Sequence, residues 1–176
     1  MKNLCLALLL TVAVVSVSPF TARAASDAPA SVDQLKEQII DLENAGTLSI
    51  EQFTLCSKIG GFGQCEAVTG TKVTKGTELL FYYEPKNSST QRSGDTYRRW
   101  FTQDMIVRDS TGKELLRKDQ ALEFNYKTKR PVMDVFVQNT LTLGDLPAGN
   151  YSFEAVLHDQ LSKQTANHVF KFEIGN

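Results

Sequence analysis

Two periodicities divide the chain. Val32, Leu35, Ile39 and Leu42 follow one another at spacings of three and four, which places them along one stripe of an α-helix. Ser31 with Gln34 reads as a capping box at its start, and Gly46 as its stop. A helix this short is marginal alone in water, so the stripe is expected to dock. The simplest receiver is the chain's own sheet; self-association or partner binding is the other outlet.

From Glu66 onward the period is two. Strands are predicted at Thr71–Thr74, Glu78–Glu84 (halted by Pro85), Tyr97–Asp109, Glu114–Lys118, Leu122–Tyr126, Val132–Leu143, Tyr151–Asp159 and Gln164–Ile174. Asp109–Ser110–Thr111–Gly112 is a hairpin turn, and Asn87–Asp95 a polar loop long enough to be mobile or functional. Leu48–Ile59 reads two ways. Ser49 with Gln52, and Leu48 with Phe53, fit a capped and stapled helix. The run into Gly60–Gly61–Phe62–Gly63 fits an edge strand equally well. Seven or eight short strands with regular turns over about 110 residues predict an all-β fold, an Ig-like antiparallel β-sandwich.

The closing hairpin sets its own register. A loop centred on Leu161–Ser162 puts Phe153 opposite Phe170 and Ala155 opposite His168, so the larger apolar residues turn inward together. Ahead of it, Leu146–Pro147–Ala148–Gly149–Asn150–Tyr151 forms a corner that feeds Tyr151 into the core, its hydroxyl bonding locally.

The first 24 residues stand outside both patterns. Lys2, the apolar run Leu4–Val17 and Ala22–Arg23–Ala24 have the order of a signal peptide with its cleavage site. The expected organisation is a leader over 1–24, a flexible segment and amphipathic helix over 25–47, and the sandwich over 48–176. Export to the periplasm or beyond follows, with no stable membrane span after cleavage. Removing two cations and no acid takes the formal net charge from −1 to −3, which gives no push toward nucleic acid. Cys56 and Cys65 remain, and an even pair in an oxidising compartment most simply forms one disulfide.

Four blocks together resemble a group of uncharacterised exported bacterial proteins with an Ig-like or fibronectin-III-like sandwich. They are Leu55–Cys56 with Gly61–Phe62–Gly63; Gly76 with Tyr82–Tyr83–Glu84; Asp109–Ser110–Thr111–Gly112; and Asp134–Val135–Phe136 before Leu141. The resemblance spans about residues 50–174, supports the sandwich, and favours a strand over 48–59. It implies no activity.

Motifs that carry chemistry are not seen. His158 and His168 point to opposite faces in the register above and cannot act together; His168 faces the core. No nucleophile elbow, zinc-protease signature, phosphate loop or calcium loop occurs, so neither metal nor cofactor is expected and the chain reads as non-enzymatic. Alternation sends Tyr82 and Tyr83 to opposite faces, and likewise Trp100 and Phe101, so one of each pair lies outside the core unless another layer covers it. Tyr82, Trp100, Tyr97 and Tyr126 are therefore the candidate ligand or partner surface.

Charge is uneven too. Residues 92–130 carry ten Lys/Arg against six acids, and residues 25–60 carry six acids against two Lys. The asymmetry could steer the acidic extension onto the basic strands; solvated faces are the plainer reading. The function expected is protein–protein interaction or scaffolding in the cell envelope. The alternative is a carbohydrate-binding module using the strand aromatics.

Overall fold

Residues 31–142, 144 and 146–175 are described by the computed structural model. The expected leader (1–24) and the flexible stretch 25–30 lie outside them. Helix α1 spans Val32–Ala45. Ten strands follow among the described residues: β1 Ser49–Gly61, β2 Gln64–Ala67, β3 Lys72–Thr74, β4 Glu78–Lys86, β5 Thr90–Ser93, β6 Thr96–Asp109, β7 Glu114–Thr128, β8 Val137–Thr142, β9 Gly149–Asp159 and β10 Thr165–Gly175. No helix among these residues is long and apolar enough to cross a membrane.

The capping box closes as expected, Ser31 Oγ accepting from Gln34 N–H at 3.2 Å and Gln34 Oε1 accepting from Ser31 N–H at 2.7 Å. Gly46 ends α1 by size and not by backbone handedness. Its φ is −79°, but a Cβ there would lie 2.5 Å from Asn87 Cγ.

The open stretch is strand. β1 pairs with β4 from Ser49↔Lys86 to Cys56↔Leu80, and one extra residue near Gln52 makes a bulge. Gln52 sits at φ 54°, so the residue expected to cap a helix instead relieves a strand. Long-range pairing overrides the local capping signal.

Two sheets result. One has the order β2-β1-β4-β8; the other runs β3-β10-β9-β6-β5, with β7 on the far edge of β6. One of them curls into a half-barrel. Four details depart from expectation, one being that the strand expected from Val132 begins only at Val137. β3 joins β10 in parallel, so pairing is not wholly antiparallel. The two strands expected within 114–126 are one strand, β7, bulged where Gln120 N–H donates to Asp104 Oδ1 at 2.8 Å. The polar loop at 87–95 contains β5, because Asp159 Oδ2 takes Ser89 N–H at 2.6 Å and draws the segment onto the end of β9.

The final hairpin has the expected register, with Phe153↔Phe170 and Ala155↔His168. Phe153 then stacks on Phe81 of the other sheet, ring centres 4.5 Å apart. Tyr151 donates to Pro147 O at 2.7 Å and closes the corner. A polar bridge the alternation did not reveal also joins the sheets. Tyr83 donates to Gln103 Oε1 at 2.7 Å, and Gln103 exchanges bonds with Asn139 at 2.9 and 3.2 Å. All three are buried, and each satisfies another.

Cys56 and Cys65 are joined, Cα atoms 5.7 Å apart, stapling β1 to β2. Cys65→Ser is expected to lower the free energy of unfolding by about 2–3 kcal/mol, the loop-closure entropy of so short a ring. Urea unfolding would show this, and the reduced wild-type chain should match the variant. Equal stability with and without reductant would contradict it.

Candidate functional site

The basic end of the larger sheet holds the helix. Arg99 on β6 has the parity of Phe101, which turns its guanidinium inward, and its side chain is only 4% exposed. A buried cation needs a carboxylate, and Glu43 of α1 supplies one at 2.6 Å while Thr90 Oγ1 accepts from Nε at 3.1 Å. Arg92 on β5 meets both Glu37 and Asp41, the latter at 2.9 Å. Tyr97 donates to Glu37; that bond, with burial behind it, holds the phenol above its ordinary range. Asn44 uses its amide as a strand would, accepting from Thr90 N–H at 2.8 Å and donating to Thr90 O at 3.0 Å. Ile40 is the apolar anchor, 1% exposed.

The link to β1 is held the same way. Gln164 Oε1 accepts from Leu48 N–H at 2.9 Å and its Nε2 donates to Gly46 O at 3.3 Å, while Asn87 donates to Thr47 O at 2.9 Å.

The helix is therefore docked by its polar side. At 100° per residue, Glu37, Ile40, Asp41, Glu43 and Asn44 centre about 150° from the stripe, with Glu43 on its flank. Val32, Leu35, Ile39 and Leu42 are 67, 47, 44 and 73% exposed. The expectation that the stripe packs on the sandwich fails; acids of the extension do meet Arg92 and Arg99, while Lys113, Arg117, Lys118, Lys127, Lys129 and Arg130 stay solvated as in the plainer reading. The receiving surface explains both. It consists of Thr90, Arg92, Tyr97 and Arg99, against which leucines would gain little. Arg99 would also lose its counter-charge, at a cost of about 3–5 kcal/mol.

The four candidate aromatics do not assemble. Tyr82 is 2% exposed. The β1–β2 hairpin covers it, Gly63 N–H donating to its hydroxyl at 2.7 Å, and Phe136 stacks on it. Burial first, then the bond to Glu84, raises its pKa. Tyr97 is held under α1. Trp100 lies on the outer face, half-buried, its Nε1 donating to Glu123 at 2.9 Å with the Arg98 guanidinium 4.3 Å over the ring. Tyr126 is 56% exposed beside Phe124, on the opposite face from Trp100. No flat platform for a sugar ring forms from this set.

The histidines part as expected. His168 stacks on Phe53 at 4.6 Å. His158 bonds Asp104 Oδ2 at 2.9 Å and Thr165 Oγ1 at 3.2 Å. Asp104 only accepts, so Nε2 carries the proton in that bond. Burial works against the Asp104 carboxylate, but Gln120 N–H and His158 outweigh it and hold its pKa below the ordinary value. The pair clasps the bulge of β7 to β9. No cluster of His, Cys, Asp and Glu suited to a metal occurs among the described residues.

No family model and no curated protein matches the chain. Among solved structures it is similar to the Pseudomonas fluorescens alkylpurine DNA glycosylase AlkC bound to DNA containing an abasic site analog. That likeness has 9% identity and a TM-score of 0.41, over 82% of this chain and 35% of that one. It is also similar to superoxide reductase (neelaredoxin) from Ignicoccus hospitalis, with 10% identity and a TM-score of 0.38, over 74% and 81%. The chain spans about a third of the glycosylase's length. Likenesses this weak bear on neither activity nor partner.

Two measurements probe the site's electrostatics. Glu43→Gln should weaken the docking of α1 by about 3 kcal/mol, because Arg99 stays buried without its counter-charge. Amide exchange across 32–45 should quicken while β9 and β10 hold; unchanged exchange at α1 would show that Arg99 is not what retains it. Glu154 supplies the pH test. Burial opposes its charge, but bonds from Arg108 and Asn167 prevail and depress its pKa below 4.5. A depressed carboxylate contributes stability that is complete above about pH 4.5 and is lost as pH falls through the lowered value. Glu154→Gln should therefore flatten the acid limb of stability against pH; an unaltered limb would refute the assignment.

Proposed function

We propose that this chain is an exported, non-enzymatic Ig-like module whose work is protein–protein contact in the cell envelope. One observation carries the reading: α1 spends its polar side on the sandwich and leaves Val32, Leu35, Ile39 and Leu42 facing solvent. All four are at least 44% exposed, and an apolar stripe left in solvent is often a functional surface.

The strand order supports the Ig-like assignment. β1, β4 and β8 share one sheet and face β10, β9, β6 and β7, and a tyrosine corner opens β9, as at the corresponding strand of Ig domains. Export is supported by the leader-like pattern of residues 1–24 and by the Cys56–Cys65 disulfide, which suits an oxidising compartment.

The reading is tested with Leu35→Lys/Ile39→Lys, which alters exposed positions and should leave the fold intact by circular dichroism. A photo-reactive residue at position 38, irradiated in producing cells, should give a discrete protein adduct that the double variant reduces at least tenfold. Tyr126→Ala should leave that adduct unchanged. Adducts of equal yield from both variants would overturn the proposal.

A further inference from the structure

We infer that Cys65 Sγ is the point at which a dithiol reductant attacks this protein, and that opening the Cys56–Cys65 bond lifts the β1–β2 hairpin off Tyr82. The inference concerns the smaller sheet and does not depend on the reading of the helix face.

The hairpin is an overhang. β1 leaves β4 at Cys56↔Leu80, and beyond that point β1 pairs only with β2. Even this pairing is interrupted, between Cys56 and Lys58 and again between Ile59 and Gly61. Phe62 near the tip is 43% exposed, so apolar burial holds the tip only weakly. Among the described residues, one hydrogen bond ties 57–66 to another element, from Gly63 N–H to the Tyr82 hydroxyl at 2.7 Å. The disulfide stands at the root, on the last residue that β1 shares with β4.

Under the overhang lies an aromatic pair. Thr54, Cys56 and Tyr82 share one face of the smaller sheet by register, the face opposite Leu55 and Phe81. Tyr82 is 2% exposed there, donating to Glu84 at 2.5 Å with the Phe136 ring stacked at 5.6 Å.

The two sulfurs are unequal. Cys56 is 3% exposed, whereas Cys65 is partly exposed and lines two depressions. One, of about 360 Å³, lies beside Thr54 and Glu84; the other, of about 180 Å³, lies beside Lys58 and Glu66. Exchange needs a thiolate to reach one sulfur, so access selects Cys65. The reductant's thiolate bonds Cys65 Sγ, and the electron pair of the S–S bond leaves on Cys56 Sγ, which takes up a proton. Thr54 O, 3.7 Å from Cys56 Sγ, is the acceptor for that thiol. The reductant's second thiolate then attacks its own sulfur in the mixed disulfide and expels Cys65 as a thiolate, which is protonated. Two electrons and two protons have passed to the protein, and the dithiol has become a disulfide. With the root unstapled, an interrupted ladder and one hydrogen bond are a weak restraint. The hairpin opens, and Tyr82 and Phe136 become surface.

The test uses the full chain in a Cys5→Ser background. Brief exposure to glutathione, stopped with an alkylating reagent and followed by cleavage after Lys58, should place glutathione on the peptide of Cys65 and the alkyl group on that of Cys56. Excess dithiothreitol should quicken amide exchange across 57–67 about tenfold or more while β9 and β10 keep their protection. Tyr82→Phe should quicken it further in the reduced protein and leave the oxidised hairpin closed. Glutathione on Cys56, or shared equally, overturns the point of attack. Unchanged exchange across 57–67 after reduction overturns the opening. Loss of protection in β9 and β10 overturns it too, since the bond would then hold the whole fold. An oxidised Tyr82→Phe protein with an open hairpin would show that the phenol, and not the disulfide, retains it.

Discussion

Arg99 is the constraint from which the arrangement of the helix follows. Strand alternation turns its guanidinium toward the interior at the end of β6, where water cannot serve as its counter-charge. A carboxylate must come from elsewhere, and Glu43, 56 residues earlier, is the one that reaches it. Once that pair is formed, the side of α1 that faces the sheet is settled. Asn44 meets Thr90, Ile40 is buried, and the apolar stripe has no course but outward.

The same pair organises the sheet's end. Thr90 is held by Asn44 on its backbone and by Arg99 on its hydroxyl, while Asp159 takes the neighbouring Ser89 N–H. β5 is thus a strand because polar side chains from three elements satisfy it, not because its own residues favour strand. Away from this end the two sheets are held together differently, by Phe81 on Phe153 and by the Tyr83–Gln103–Asn139 bridge. One half of the molecule rests on aromatic packing with one buried amide bridge, and the other on ions and edge-strand amides. The uncovered apolar face belongs to the second half, where ordinary hydrophobic burial does not decide orientation.

Legibility in the sequence followed the range of the interaction. The Ser31–Gln34 box, the Asp109–Gly112 turn and the Tyr151 corner were readable because their partners lie two to four residues apart. The closing hairpin was readable because one loop position determines every pairing after it. The helix stripe is legible as a stripe, yet its destination is not, since nothing local says whether α1 meets leucines or arginines. The signal that could have corrected it was the opposite charge of residues 25–60 and 92–130, together with Ile40, an apolar residue off the stripe. Tyr82 failed for a related reason: alternation put it outside the sheet, and only the disulfide-bound hairpin over it makes that outside an interior.

By itself, then, the sequence determined the all-β class, the helix and its amphipathic face, the final register and the pairing of Cys56 with Cys65. Those features rest on periodicity and on contacts between near neighbours. Tertiary structure decided which way α1 faces, that residues 49–61 are strand in spite of their capping signals, and that Tyr82, Tyr97, Trp100 and Tyr126 do not form one surface. Each of these depends on what stands opposite a residue across the sheet, and a linear pattern carries no record of that.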